Sequence, residues 1–310
     1  MHDIRTANSA DLGAVVALVA RLQQEPAHQI GFHGETEAEV AEELAELSPD
    51  WVGGAVIATD RGGRVRGVLS VEVEGKRAYL YGPFVDVPAN HPAAGQVWQT
   101  TADAMLTHAM KLPRLAGVEV LELFGHRKNR LLSEFATRHG AAVRMTTRRF
   151  MLTAAPLRSL LVRGPAQDDR VALLPQDPHI REAVARLHDR CFPDAATPGR
   201  RLVASDRHTV VVLMGERGLL GFAAGYTQAD EYYVDVVGVD EDARSCGVGR
   251  TLVRRLLAEL ARDGIRDRAA AMIRDGNDAS ERMFTKLGFE LHAEMVNYQA
   301  DLTAGYRSAV

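Results

Sequence analysis

The stretch that most constrains the fold runs from Val234 to Gly249, with the sequence VDVVGVDEDARSCGVG. Its valine-rich beginning predicts a β-strand. An acidic turn and a turn with two glycines follow, and an apolar-periodic segment then predicts a helix from about Arg250 to Arg262. The first amide groups of a helix have no intrahelical acceptor, and the helix dipole adds partial positive charge beside them. Strand, glycine turn and helix in this order therefore predict a binding site for phosphate groups.

Two arginines and a second downstream motif sharpen this prediction. Arg244 and Arg250 flank the glycine turn and can neutralise phosphate charge. Farther along lie Asn277 and the segment Lys286-Leu287-Gly288-Phe289. Together these residues resemble the GNAT superfamily of acyl-CoA-dependent N-acyltransferases, over roughly residues 171–302. The glycine turn alone fits equally well a loop that only links a strand to a helix.

The resemblance implies a fold, a cofactor and its contact residues. The expected fold is α/β, with a mixed and mostly antiparallel sheet flanked by helices. The expected cofactor is acetyl-CoA, with the pyrophosphate of its coenzyme A part cradled by the Arg-x-x-Gly-x-Gly loop and with Asn277 in a second contacting element. The cofactor-binding residues predicted in this way are Val237, Gly238, Val239, Arg244, Ser245, Cys246, Gly247, Val248, Gly249, Arg250, Thr251, Asn277, Phe284 and Lys286.

An internal repeat of domain size runs through the chain. Asn129 lies 148 positions before Asn277, Gly140 lies 148 before Gly288, and the order of predicted elements recurs. Such a long period predicts duplicated domains. We expect a degenerate N-terminal GNAT-like domain at 1–155, a linker at 156–169, and a C-terminal GNAT domain that binds acetyl-CoA at 170–310.

The N-terminal copy departs from the phosphate-binding pattern. When Val85 is aligned with Val239, the segment Asn-His-Pro-Ala-Ala-Gly at 90–95 stands opposite 244–249. The arginine and the first glycine are missing, and Pro92 has no amide hydrogen to donate. We expect this copy not to bind a pyrophosphate, the alternative being a degenerate second cofactor site. The N-terminal copy would then line one side of the acceptor pocket or serve as a structural partner.

Transfer of an acyl group to an amine requires a base, because only the neutral amine attacks. Asp235 stands in an otherwise apolar strand, where a carboxylate is costly unless it is exposed, paired or functional. The resemblance implies a base here, since many GNAT enzymes carry an acidic base on this strand. The alternatives are a solvated carboxylate and one paired with an arginine.

The proton donor to the leaving thiolate is harder to place. Much of the family has a tyrosine two positions before the lysine of the second motif, and Phe284 stands there and cannot donate. Ser280, one helical turn earlier on the same face, is a substitute catalytic candidate, or else an ordinary exposed serine. Unassisted departure is also open, because a thiol has an ordinary pKa of about 8.5. Tyr226 and Tyr233 are candidate acceptor-binding residues, with core or rim positions as the alternative.

Composition narrows the function classes. A net charge of −4 gives no reason to expect nucleic acid or anionic membrane as a partner, and no apolar stretch of about 20 residues predicts a membrane span. Two cysteines, no secretory leader and scattered histidines predict a cytoplasmic protein without a disulfide framework or a metal site. We expect a monomeric or homodimeric N-acetyltransferase that modifies the primary amine of a small molecule by direct attack. A non-catalytic acyl-CoA sensor or scaffold is the alternative.

Overall fold

The computed structural model describes residues 2–47, 50–88, 90–162, 170–193, 195 and 197–303. Contacts divide the chain into two compact units, Met1–Thr147 with Glu294–Val310 and Arg148–Ala293. Each unit has its own set of neighbouring strands and its own apolar core. The fold is α/β with mixed sheets flanked by helices, as the sequence predicts.

The first unit has a sheet in the order β1-β2-β3-β4-β5-β12. The pairings in this order are antiparallel except for the parallel pair β4–β5. The C-terminal strand enters this unit at Glu294 and pairs with β5 through Met295–Asp301. The elements are β1 Asp3–Thr6, α1 Leu12–Gln23, α2 Glu37–Glu46, β2 Ala55–Thr59, β3 Val65–Glu74, β4 Arg77–Val85, α3 Ala94–Ala109, β5 Val120–His126, α4 Arg130–Arg138 and β12 Glu290–Asp301.

The second unit has a sheet in the order β6-β11-β10-β9-β8-β7, with β10 and β11 parallel. Helix α8 covers one face with an apolar stripe, and α6 and α7 cover the other face. The elements are β6 Ala142–Thr153 (in this unit from Arg148), α5 Ala154–Val162, β7 Val171–Leu173, α6 Pro178–Cys191, α7 Gly199–Ala204, β8 Thr209–Gly215, β9 Gly218–Thr227, β10 Glu231–Val239, α8 Val248–Leu260, β11 Arg268–Arg274 and α9 Asp278–Lys286.

The internal repeat appears as two matching helix ends. Asn129 and Asn277 cap α4 and α9, and each side-chain oxygen accepts the amide three residues further on, at 3.0 and 3.2 Å. Gly140 and Gly288 follow the same helices with φ of 71° and 95°, a conformation in which glycine carries no Cβ penalty. In both copies the next amide returns to a helical carbonyl five residues back, which closes the helix end in the same way.

Several boundaries differ from the sequence predictions. Residues 156–162 of the expected linker are helical, in α5, and residues 163–169 lie outside the described residues. The contact-based units also divide the chain at 148 and 294, whereas the domain boundaries drawn from the repeat stay a prediction. Helix α8 begins at Val248, before the predicted start, because Gly247 takes the N-cap position in a left-handed conformation.

Strand β6 and helix α7 were not predicted. The arginines of β6 obscure its strand pattern, because charged residues interrupt the alternation of apolar and polar positions. In the structure these side chains pair with carboxylates: Arg148 with Glu281 at 2.8 Å and Arg149 with the buried Glu231 at 2.8 Å. Among the described residues, none of the helices combines the length and the apolar character that a membrane crossing requires.

Candidate active site

The parallel strands β10 and β11 form only a short ladder. Their pairing runs from Glu231 with Arg268 to Val234 with Ala271, which is four residue pairs. In the described chain β10 then continues to Val239 and β11 to Arg274 without further pairing to each other. Backbone amide and carbonyl groups along this edge require other partners. The edge therefore offers hydrogen bonds to a ligand that contains amide groups.

A β-bulge begins where this ladder ends. On the opposite side of β10, Val234 pairs with Gly225 and Val236 with Ala224, so Asp235 is the extra residue. Side chains at even positions face the α8 core before the bulge, and those at odd positions do so after it. The bulge lifts Asp235 out of the regular alternation, and 37% of its side chain is exposed. An acid in a valine strand thus avoids the cost of full burial.

Asp235 is paired with a histidine. His208 Nε2 lies 3.1 Å from Asp235 Oδ2, and His208 Nδ1 lies 2.9 Å from Ser205 Oγ. The hydroxyl oxygen of Ser205 also accepts the amide of Arg207 at 3.2 Å. The sequence indicated an arginine as the partner if the Asp235 carboxylate were paired, but the partner is His208. Neither His208 nor Ser205 was predicted as a site residue. They stand on the loop between α7 and β8, and only the order of strands in the sheet places this loop beside β10.

An aromatic row continues from His208 onto two strands, β9 and β10. Its ring lies 5.2 Å from that of Tyr226, which lies 5.2 Å from that of its cross-strand partner Tyr233. The guanidinium of Arg207 lies 4.1 Å from the Tyr226 ring centre. Burial raises the pKa of the Tyr233 phenol well above its ordinary value, and Tyr226, Asp235 and Glu231 act in the same direction. Tyr233 is therefore protonated at neutral pH, and both tyrosines are half-buried.

The glycine turn has the backbone of an anion-binding loop. Ser245 and Gly247 have φ of 64° and 83°, and α8 begins directly after Gly247. Successive amides in such a conformation form a concave group of donors. A Cβ on Gly247 would lie 3.6 Å from Arg250 Nη2, so this guanidinium lies over the turn. Arg244, Ser245, Cys246 and Arg250 are exposed, and Gly247 is half-buried.

The start of α8 is packed closely against its neighbours. A Cβ on Gly249 would lie only 2.5 Å from Met283 Sδ, so a larger residue here would displace the Met283 side chain of α9. Beside the loop lies a cavity of about 380 Å³, whose lining includes Arg190, Asp240 and Arg244. The Arg244 guanidinium is 3.6 Å from the exposed Glu241 carboxylate, and a pair of this kind contributes little. Arg244 can therefore exchange this partner for a phosphate group.

The second motif has one member in an unexpected place. Asn277 and Lys286 are exposed at the two ends of α9, and Ser280 is half-buried. Phe284 is only 4% exposed and packs edge-on against Phe289, with ring centres 5.0 Å apart. Its ring belongs to the apolar core, so we leave Phe284 out of the proposed cofactor site.

Comparison with known proteins identifies the family. The model of the acetyltransferase (GNAT) family matches residues 179–289. The N-alpha-acetyltransferase RimI of Mycobacterium tuberculosis is 34% identical over 113 residues, which are 35% of this chain and 68% of the relative. The chain belongs to the GNAT family. It is an acyltransferase.

Two solved structures share the fold over nearly the whole chain. A GCN5-related N-acetyltransferase from Sphaerobacter thermophilus has a TM-score of 0.69 at 15% identity, covering 97% of this chain and 95% of its own. A tandem GNAT protein from the clavulanic acid biosynthesis pathway has a TM-score of 0.67 at 16% identity, covering 97% and 98%. At these identities the likeness concerns the fold, and it supports the tandem arrangement.

The first GNAT-like unit repeats the short parallel ladder. Here β4 and β5 pair from Arg77 with Val120 to Leu80 with Leu123, again four pairs, at the positions that the repeat predicts. Beyond the ladder, the chain itself supplies partners to β5. The amide of Gly31 donates to the Phe124 carbonyl at 2.6 Å, and a β-bridge joins Ile30 with Gly125. Residues 29–31, which we call the plug, thus pair with the edge of β5 beyond its ladder with β4. The corresponding edge of β11 has no pairing with β10 beyond Ala271 in the described chain.

Buried polar groups hold the plug in place. Gln23 is 1% exposed, and its side-chain amide donates to the carbonyls of Ile30 at 2.9 Å and His33 at 2.8 Å. Its side-chain oxygen accepts the Ile30 amide at 2.7 Å. Asn129, the counterpart of Asn277, donates to the Gln29 carbonyl at 3.4 Å. Replacing these bonds by a ligand would leave several buried polar groups without partners, which is costly.

Two amides of the turn before α3 are bound within the turn itself. The ring nitrogen Nδ1 of His91 accepts the Ala93 amide at 3.2 Å, and the His91 carbonyl accepts the Ala94 amide at 3.1 Å. Pro92 has no amide hydrogen. This geometry supports the prediction that the first unit does not bind a pyrophosphate.

We therefore predict that coenzyme A binds this GNAT chain at one site. Isothermal titration calorimetry of the purified chain should give one coenzyme A per chain. His91→Ala should leave this number unchanged, because the plug and Pro92 remain. Two molecules per chain would show that the plug can be displaced and that the first unit keeps a cofactor site.

Proposed function

We propose that this chain transfers an acetyl group from acetyl-CoA to the primary amine of a small molecule, with the chemistry in the second unit. The observation that carries the proposal is the position of Asp235. It lies on the bulge at which the open edge of β10 begins, and the same strand leads to the glycine turn. Val239 lies four positions after Asp235, which corresponds to about 13 Å along a strand at about 3.3 Å per residue.

The residues of the second unit fit the proposed cofactor. The amides that follow Ser245 and Gly247 would bind the pyrophosphate, and the Arg244 and Arg250 guanidinium groups would balance its charge. The open edge of β10, including Val237, Gly238 and Val239, would bind the amide groups of the cofactor arm. Thr251, Asn277 and Lys286 stay predicted contacts. When bound, acetyl-CoA supplies a thioester carbonyl that an amine can attack.

The proposed roles of the site residues follow from their chemistry. The Asp235 carboxylate, held by His208, takes a proton from the acceptor ammonium so that the neutral amine can attack. Tyr226 and Tyr233 form an aromatic wall next to this carboxylate, suited to an acceptor with apolar surface near its amine. Ser280 stays the candidate proton donor to the thiolate, and the predicted oligomeric state, monomer or homodimer, stays a prediction.

A second acceptor class has a specific observation in its favour. RimI, the relative at 34% identity, is an N-alpha-acetyltransferase. The α-amine of a peptide is a primary amine as well, so the same base would serve it. The non-catalytic sensor or scaffold is set aside, because the chain is an acyltransferase.

One assay separates these functions. Release of the coenzyme A thiol from acetyl-CoA would be followed with a panel of small primary amines and a panel of peptides with free N-termini. Turnover confined to small amines supports the proposal, and turnover confined to peptides overturns its acceptor class. No turnover on either panel would overturn both acceptor classes.

The glycine turn is tested by Gly247→Asp. The added carboxylate lies where we place the phosphate groups, and loss of a charge-assisted contact should raise the Kd for acetyl-CoA about 10- to 100-fold. Gly63→Asp is the matched control, because Gly63 has φ of 78° against 83° for Gly247 and no atom within 4 Å of its Cβ position. Equal affinity of the two variants by calorimetry would remove this turn from the cofactor site.

The base is tested by Asp235→Asn. Loss of a positioned base should lower turnover about 10²- to 10⁴-fold with little change in acetyl-CoA affinity, because other groups hold the cofactor. Activity should partly return at high pH, where more of the acceptor is already neutral. Asp206→Asn removes an exposed carboxylate close to His208 in sequence and should keep the parent rate. A pH–rate profile of Asp235→Asn that matches the parent would assign Asp235 to structure.

A further inference from the structure

His208 lies between the side chains of Ser205 and Asp235. Its side chain is 14% exposed, and its two ring nitrogens face Ser205 Oγ and Asp235 Oδ2 at 2.9 and 3.1 Å. A neutral imidazole has one donor and one acceptor nitrogen. A carboxylate oxygen only accepts, so the nitrogen that faces Asp235 must be the donor. The proton of neutral His208 is then on Nε2, and the Ser205 hydroxyl donates to Nδ1.

This chain of hydrogen bonds survives protonation of the ring. When Nδ1 gains a proton, it becomes a donor, and the Ser205 hydroxyl rotates so that its oxygen accepts. The oxygen already accepts the Arg207 amide at 3.2 Å and retains capacity for a second donor. His208 can therefore be neutral or charged while Asp235 keeps the same partner.

We propose that His208 is a positioning residue for Asp235 and sets the basicity of its carboxylate. The proposal rests on the proposed function, in which Asp235 is the base. The Nε2–H group holds one carboxylate oxygen and leaves the other oxygen to take the proton of the acceptor amine. The Asp235 carboxylate selects the Nε2–H tautomer, and the Ser205 hydroxyl satisfies the remaining ring nitrogen.

The sign of the pH dependence follows from charge. Protonation of His208 places a positive charge beside Asp235, which favours the ionised carboxylate and makes it a weaker base. The rate should therefore be lower with a charged His208 ring than with a neutral one. Among the described residues, Asp235 on β10 and Tyr226 on β9 contact the ring, and the Arg207 guanidinium and the Tyr233 ring both pack against Tyr226.

Two substitutions separate position from charge. His208→Ala removes the donor and should lower turnover about tenfold or more, with the KM for acetyl-CoA nearly unchanged. His208→Gln keeps an amide donor of similar reach but cannot titrate. It should retain most of the turnover at neutral pH, and the acidic limb of its pH–rate profile should move to lower pH. His179→Ala, at an exposed position on α6, is the control histidine substitution.

A double-mutant cycle tests whether His208 acts through Asp235. In the Asp235→Asn background, His208→Ala should change turnover by no more than about twofold, because the carboxylate it positions is gone. Equal losses in both backgrounds would overturn the proposal, as would a His208→Gln profile identical to that of the parent. If thermal unfolding shows that His208→Ala is unstable, the pH–rate profile of His208→Gln, compared with that of the parent, tests the positioning role instead.

The tautomer of His208 can be measured without any turnover, so this test does not depend on the proposed function. The ¹⁵N chemical shifts of the His208 ring at high pH should show the proton on Nε2 in the parent. In Asp235→Asn the tautomer should lose this preference, because a side-chain amide can donate as well as accept. A proton on Nδ1 in the parent would overturn the positioning role whatever the chain acetylates. The Nε2 tautomer in a chain whose Asp235→Asn variant keeps full activity would instead overturn Asp235 as the base.

Discussion

The short parallel ladder between β10 and β11 is the constraint on which the site depends. Four residue pairs hold the two strands together, and beyond Ala271 their facing edges have no further pairing with each other. Backbone donors and acceptors cannot stay buried without partners. An opening of this kind must therefore meet water, a ligand or another part of the chain. Both units contain the ladder, and they differ in how the edge beyond it is satisfied.

In the first unit the chain fills the opening. The plug at 29–31 pairs with β5, and the buried amide of Gln23 fixes its carbonyl groups. The turn before α3 uses its first amides internally, through His91. In the second unit the turn at Ser245 and Gly247 instead presents amides at the start of α8. One fold thus supports a closed copy and an open copy, and the difference lies in a few loop residues.

The β-bulge at Asp235 connects the open edge with the polar cluster. By inserting one residue, it turns a carboxylate out of an apolar ladder and towards the loop that carries Ser205 and His208. The same strand therefore serves the proposed cofactor with its backbone and the proposed acceptor with its side chains. This division explains why a single acid can occur in a strand of valines without a large loss of stability.

The sequence alone determined the family, the α/β fold, the repeat, and the turn around Gly247, because these features depend on local patterns and on spacing along the chain. The arginine-rich strand β6 was missed, since its charges are neutralised by residues such as Glu231 and Glu281 that are distant in sequence. Only the tertiary structure placed Phe284 in the core, the plug against β5, and His208 beside Asp235. These contacts depend on how elements distant in sequence pack together. His208 and Asp235 are 27 positions apart, and no local sequence pattern indicates that they become neighbours.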